Sequence, residues 1–204
     1  MTSPALSVMA HSSCIDLTSG QKSQLLTIAR QSIALGIRTQ EPLLVKESEL
    51  VGILARELGI FVTLKQADQL RGCIGSLEAK QPLAHSVAVA AFHAAFRDPR
   101  FRPLAVTEIE QTQIEISVLS GPEPIVCGSE ADLLAALKPD EDGLLLEDRG
   151  QRATFLPQVW ERVTDPQNFV RELKRKAGWS ENYWSSTIQA FRYSSTSFAE
   201  VARP

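Results

Sequence analysis

A guanidinium and a thiol stand two residues apart in the stretch Leu70-Arg71-Gly72-Cys73-Ile74-Gly75-Ser76. A cysteine becomes nucleophilic when a nearby cation or a helix N-terminus favours its thiolate. An arginine inside an otherwise apolar segment is costly unless it is paired or binds an anion. The pair therefore points either to thiol chemistry on a small anionic substrate or to recognition of an anion without turnover. Structural readings stand beside both: Cys73 as a small buried hydrophobe, and Arg71 as half of an ion pair. Glu115, on the polar side of its own segment, is the expected partner of Arg71, and Thr63 and Ser117 can share that face.

The elements that must position these groups are strands. From Ile60, the residues Ile60, Val62 and Leu64 alternate with Phe61, Thr63 and Lys65, the pattern of a strand with one buried face. Gln66 to Gln69 form a turn, and the return strand sets Leu70, Gly72 and Ile74 on the core side against Arg71, Cys73 and Gly75. Glycines inside a strand mark a bulge or a close approach of backbone or ligand. In Ile114–Leu119, Ile114, Ile116 and Val118 oppose Glu115 and Ser117. Parity thus predicts one cleft on the polar side of the sheet, lined by Thr63, Arg71, Cys73, Glu115 and Ser117.

Around these strands the sequence predicts helices. One is capped by Thr18 or Ser19, runs to about Leu35 and is stopped by Gly36; another covers Glu47–Glu57. A third runs from Pro82 to Arg97, apolar nearly all round and so buried. A short helix over Asp132–Leu137, a hairpin turned by Asp148-Arg149-Gly150-Gln151, helices opened by Pro157 and Pro166, and closing strands over Thr187–Tyr193 and Phe198–Val201 complete the reading. Strands in hairpins without a βαβ rhythm give an α+β fold with a mostly antiparallel sheet.

Other chemistries find little support. His85 and His93 are eight residues apart on one helix, about 12 Å along its axis, too far to share a metal. No zinc or iron ligand spacing, phosphate loop or dinucleotide fingerprint occurs, so no cofactor is expected. The 204 residues carry a net charge of −3, which gives no basic field for nucleic acid; Arg171, Lys174, Arg175 and Lys176 read as a solvated helix face. No apolar run reaches the ~18 residues of a membrane span. Met1–Asp16 reads as a disordered tail and not as a signal peptide. Three cysteines without paired spacing predict reduced thiols in a cytoplasmic protein.

Several blocks together resemble one family. Leu70–Ser76 is similar to the Leu-Arg-Gly-Cys-Ile-Gly-Thr hallmark of the AMMECR domain family, whose microbial members are labelled AmmeMemoRadiSam system protein A. Ala94–Leu104, Ile114–Ser120, Asp142–Leu144 with Phe155–Trp160, and Lys176–Gly178 with Trp184 resemble its further blocks, in order over about residues 20–200. Ser76 replaces the usual threonine, and Trp179 stands where leucine is common. The resemblance implies one two-lobed α+β domain over 17–204 and an activity that is not established. It also implies partnership with a Memo-like protein, related to extradiol dioxygenases, and a radical SAM protein. Two functions therefore compete: a ligand-binding component acting with those partners, and a free-standing enzyme using Cys73 as nucleophile with Arg71 holding the anionic group.

Overall fold

The structure, a computed structural model, describes residues 15–201 apart from 47, 49 and 79. In chain order its elements begin with α1 (Ser19–Thr39), β1 (Ile60–Gln66), β2 (Gln69–Ser76), α2 (Leu83–Phe96) and β3 (Gln113–Leu119). They continue with β4 (Glu123–Ile125), α3 (Glu130–Ala136), β5 (Gly143–Asp148), β6 (Gln151–Phe155), α4 (Pro166–Lys176), β7 (Gln189–Tyr193) and β8 (Ser195–Ala199). Two compact units result, one from Ile15–Gly121 with the segment after Ser194, the other from Pro122–Ser194. Each has one antiparallel four-stranded sheet, in the orders β2-β1-β3-β8 and β4-β7-β5-β6. The α+β expectation is met.

In the larger unit the core face of the sheet presents Ile60, Val62, Leu64, Ile114, Ile116 and Val118 to α1 and α2. The alanines of α2 let it lie close: a Cβ on Gly72 would come within 2.1 Å of the Ala94 carbonyl oxygen. Glycine is required there by backbone approach. Helix α1 starts in a capping box, with Gln21 N–H donating to Thr18 Oγ1 and Thr18 N–H donating to Gln21 Oε1. It does not stop at Gly36. That residue packs under the Phe92 and Phe96 rings, 2.5 and 2.7 Å from its missing Cβ, and the helix ends at Gln40 in the left-handed region.

Other expectations need correction. The helix expected over Glu47–Glu57 is reduced to a 3-10 turn at Gly52–Ala55, with Gly52 at φ +56° breaking the run; residues 47 and 49 lie outside the described set. Of the expected tail, residues 1–14 lie outside it too. Ile15 already packs against the core, and its carbonyl accepts the Thr196 hydroxyl at 2.6 Å. The helix at Pro157 is a 3-10 turn, Pro157–Glu161.

In the smaller unit α4 opens at Pro166, capped by Asp165 accepting from Asn168 N–H, and closes before Gly178 at φ +81°. Its apolar side covers the sheet with Phe169, Val170 and Leu173, and Phe169 stacks on Trp160 at 3.7 Å. Lys174 does not belong to a solvated face. It is fully buried, its ammonium donating to Glu130 at 2.7 Å and to the Glu181 carbonyl at 3.1 Å, over the Trp184 ring. No helix among the described residues is long and apolar enough to cross a membrane.

Candidate functional site at the β2 edge

Register places three of the predicted residues in one row. Thr63 on the central strand lies opposite Cys73 on β2 and opposite Glu115 on β3. In antiparallel pairs directly opposed side chains share a face, so Cys73, Thr63 and Glu115 stand together on the polar side. The next row brings Ser117 opposite Phe61 and Ser197, whose hydroxyl lies 2.8 Å from that of Ser117. Thr63 Oγ1 donates to the partly buried Cys73 sulfur at 3.4 Å. Two cavities of the larger unit are lined by none of Thr63, Cys73, Glu115 and Ser117; these residues run along a strand face.

Arg71 departs from the row. The register slips between Leu64 and Lys65: Leu64 faces Gly72 whereas Lys65 faces Leu70, so Arg71 has no residue opposite it. This is a β-bulge. It turns Leu70 from the expected core position to one 45% exposed on the side of Lys65. It also frees Arg71 to reach Glu108, not Glu115. Arg71 Nε and Nη2 donate to the two Glu108 oxygens at 3.2 Å each, and Nη2 also donates to the Pro103 carbonyl at 3.4 Å. The forked pair is nearly buried, with side chains 11% and 14% exposed. The Arg71 guanidinium, together with the Ala105 amide, holds the Glu108 carboxyl down at about 2. Glu115 pairs with Lys65 instead, at 2.8 Å.

The cation next to Cys73 is Arg100. The Asp98 carboxylate, 2% exposed, receives the Cys73 amide at 2.9 Å on Oδ2. Arg100 Nη2 donates to the same oxygen at 2.7 Å and to the Cys73 carbonyl at 3.1 Å, while its Nε donates to Oδ1 at 2.9 Å. Asp98 and Arg100 thus occupy both outward backbone groups of Cys73 on an edge strand, as a neighbouring strand would. The Arg100 hydrogen bonds, followed by the Cys73 amide, hold the Asp98 carboxyl well below the usual carboxylate range. The Arg100 pKa is pushed up by Asp98 first, and the Cys73 side chain contributes in the same direction. The Arg100 side chain remains 54% exposed, and its Nη1 has no hydrogen bond among the described residues.

The polar-face row was legible in strand parity, which also includes Lys65. Asp98 and Arg100 follow the end of α2 in the chain, and no sequence signal linked them to the Cys73 backbone. Among the described residues no group of His, Cys, Asp and Glu is arranged to hold a metal ion.

Two antiparallel four-stranded sheets, each with its own helical cover, and a glycine-flanked edge strand clamped at its cysteine define an α+β protein of a distinct type. A family model described as AMMECR1 matches residues 26–198, and the chain belongs to that family. It is 34% identical over 178 residues to a protein of Methanothermobacter thermautotrophicus, covering 86% of this chain and 92% of the relative. A protein of Saccharolobus solfataricus is 37% identical over 185 residues, covering 87% and 80%. The crystal structure of an uncharacterized protein from Pyrococcus horikoshii superposes with a TM-score of 0.79 at 30% identity, covering 86% of this chain and 89% of that one.

Proposed function

We propose that the chain is a ligand-binding component that receives an anionic group at Arg100 and Cys73 and acts with a Memo-like protein and a radical SAM protein in the cytoplasm. The supporting observation is the half-exposed Arg100 guanidinium. Asp98 and the Cys73 carbonyl orient it, and about half of its side chain stays exposed. A guanidinium fixed on one side and open on the other is suited to a carboxylate or phosphate. Arg71 is paired with Glu108 through Nε and Nη2, while its buried Nη1 has no hydrogen-bond partner among the described residues. The partners rest on the family relationship. Anaerobic purification of the tagged chain from its native cells tests the reading. Both partners are expected with the wild type and depleted with Arg100→Gln; recovery of neither with the wild type overturns it.

A second reading has Cys73 as a nucleophile, favoured by the Thr63 hydroxyl that donates to its sulfur. A substrate-derived mass on the Cys73 peptide after isolation from cells supports that reading, and an unmodified thiol under turnover with both partners overturns it.

A further inference from the structure

The other face of β2 carries a separate site. Helix α2 is pressed onto the strand where Gly72 meets the Ala94 carbonyl. Farther along, a cavity of about 260 Å³ opens between Ile74–Ser76 of the strand and Val89–His93 of the helix. Ile60, Ile74, Val89 and Ala90 give it apolar walls. By strand parity Ile74 and Ser76 point away from the Thr63–Cys73–Glu115 row, so this cavity is not part of the Cys73 site.

Of its polar lining, the Glu78 carboxylate is offset by Lys80 at 3.2 Å and the Ser86 hydroxyl donates to the Gln81 carbonyl at 3.3 Å, which leaves His93 and Ser76 as the donors facing the apolar walls. His93 lines the cavity with neither ring nitrogen hydrogen-bonded among the described residues, its ring resting at a tilt on Phe92. Either protonation state of an imidazole offers at least one N–H. The Ser76 oxygen already accepts the Glu78 amide at 3.0 Å, so its hydroxyl hydrogen is left to donate. At the rim the Lys80 ammonium, 79% exposed and 3.2 Å from Glu78, retains further protons. Apolar walls accept a hydrocarbon body, whereas one lysine already shared with Glu78 is too little charge for a phosphate dianion.

We propose that this cavity binds a small aliphatic carboxylate, the hydrocarbon against Ile74 and Val89 and the carboxylate at His93 and Ser76. Such a group is either a free acid or the C-terminal residue of a peptide. Methyl-labelled full-length protein titrated with 4-methylpentanoate, 4-methylpentanamide and N-acetylglycyl-leucine tests the proposal and separates the sources. Saturable shifts of the Ile60, Ile74 and Val89 methyls are expected with a carboxylate, about tenfold weaker with the amide. Tighter binding of the dipeptide than of the free acid identifies a peptide terminus; the reverse identifies a free acid. From propanoate to pentanoate, affinity should rise about fourfold per methylene. His93→Gln should weaken carboxylate binding about tenfold, and Val89→Phe should abolish it while leaving the remaining methyl spectrum in place. No saturable shift with either carboxylate, amide binding equal to acid, or unchanged affinity in His93→Gln overturns the proposal.

Discussion

Asp98 in the larger unit and Asp148 in the smaller are buried carboxylates with both oxygens hydrogen-bonded, yet opposite chemistry holds them. Asp148 collects neutral hydroxyls: Tyr183 at 2.5 Å, Ser185 at 2.6 Å and Thr187 at 2.7 Å. Ser185 first, then Tyr183 and Thr187, bring its pKa down to about 2. All three donors are used up in pinning the 183–187 loop to the end of β5. Asp98 is held by a guanidinium that keeps a free edge and stands next to a thiol. Saturation by neutral donors makes a structural pin. Partial use of a cation leaves directed charge at the surface, which is what a binding site requires. Glu108 is a third case, a carboxylate in a forked pair with Arg71 that joins the β2 bulge to the segment after α2.

This contrast can be broken by substitution, and the largest effect belongs to Glu108. Glu108→Gln leaves the Arg71 cation nearly buried without its counterion and should cost about 2–3 kcal/mol in chemical denaturation. A loss close to zero would mean that Arg71 finds another acceptor and that the pair is not what holds the bulge.

Next come the two close-packed glycines. Gly72→Ala drives a Cβ into the Ala94 backbone and should cost about 2 kcal/mol. Gly143→Ala meets the Tyr193 ring first, 2.5 Å away, a buried side chain whose hydroxyl is bonded to Thr154 and the Phe155 carbonyl, so its cost measures how far a pinned ring yields compared with backbone. Equal destabilisation of both would show that α2 moves as readily as a side chain.

Acid titration sharpens the carboxylate comparison. Glu108 and Asp148 have folded pKa values below their unfolded ones. The stability they contribute is therefore complete above the ordinary carboxylate pKa near 4 and is lost as pH falls toward about 2. Stability curves of Glu108→Gln and Asp148→Asn should each be flatter than wild type between about pH 4.5 and 2. A slope in that window unchanged from wild type would remove the corresponding carboxylate from the account.

The smallest expected change is kinetic. Iodoacetamide labelling of Cys73, read by peptide mass against Cys127 in the same molecule, should slow about two- to threefold in Arg100→Gln. Burial first, and then Asp132, push the Cys127 thiol up, so it serves as a slow internal reference. An unchanged ratio of the two rates would detach Arg100 from the thiol.

The sequence alone determined the features that depend on neighbours along the chain. Strand parity put Cys73, Thr63 and Glu115 on one face. Pro166 opened α4, and Asp148-Arg149-Gly150-Gln151 turned the β5–β6 hairpin, with Arg149 and Gly150 at positive φ. Continuous apolar character predicted that α2 is buried. Tertiary structure decided everything that rests on partners distant in sequence. Arg71 finds Glu108, 37 residues on, because a one-residue bulge releases it from the ladder, and the same bulge exposes Leu70. Gly36 lies inside α1, where the Phe92 and Phe96 rings occupy the space that a Cβ would need. Lys174 is buried because Glu130 and the Glu181 carbonyl compensate its charge. Periodicity records which face an element buries, whereas an ion pair or a close approach depends on what folding brings to that face. For that reason the row containing Cys73 could be read from the chain, and the guanidinium that attends it could not.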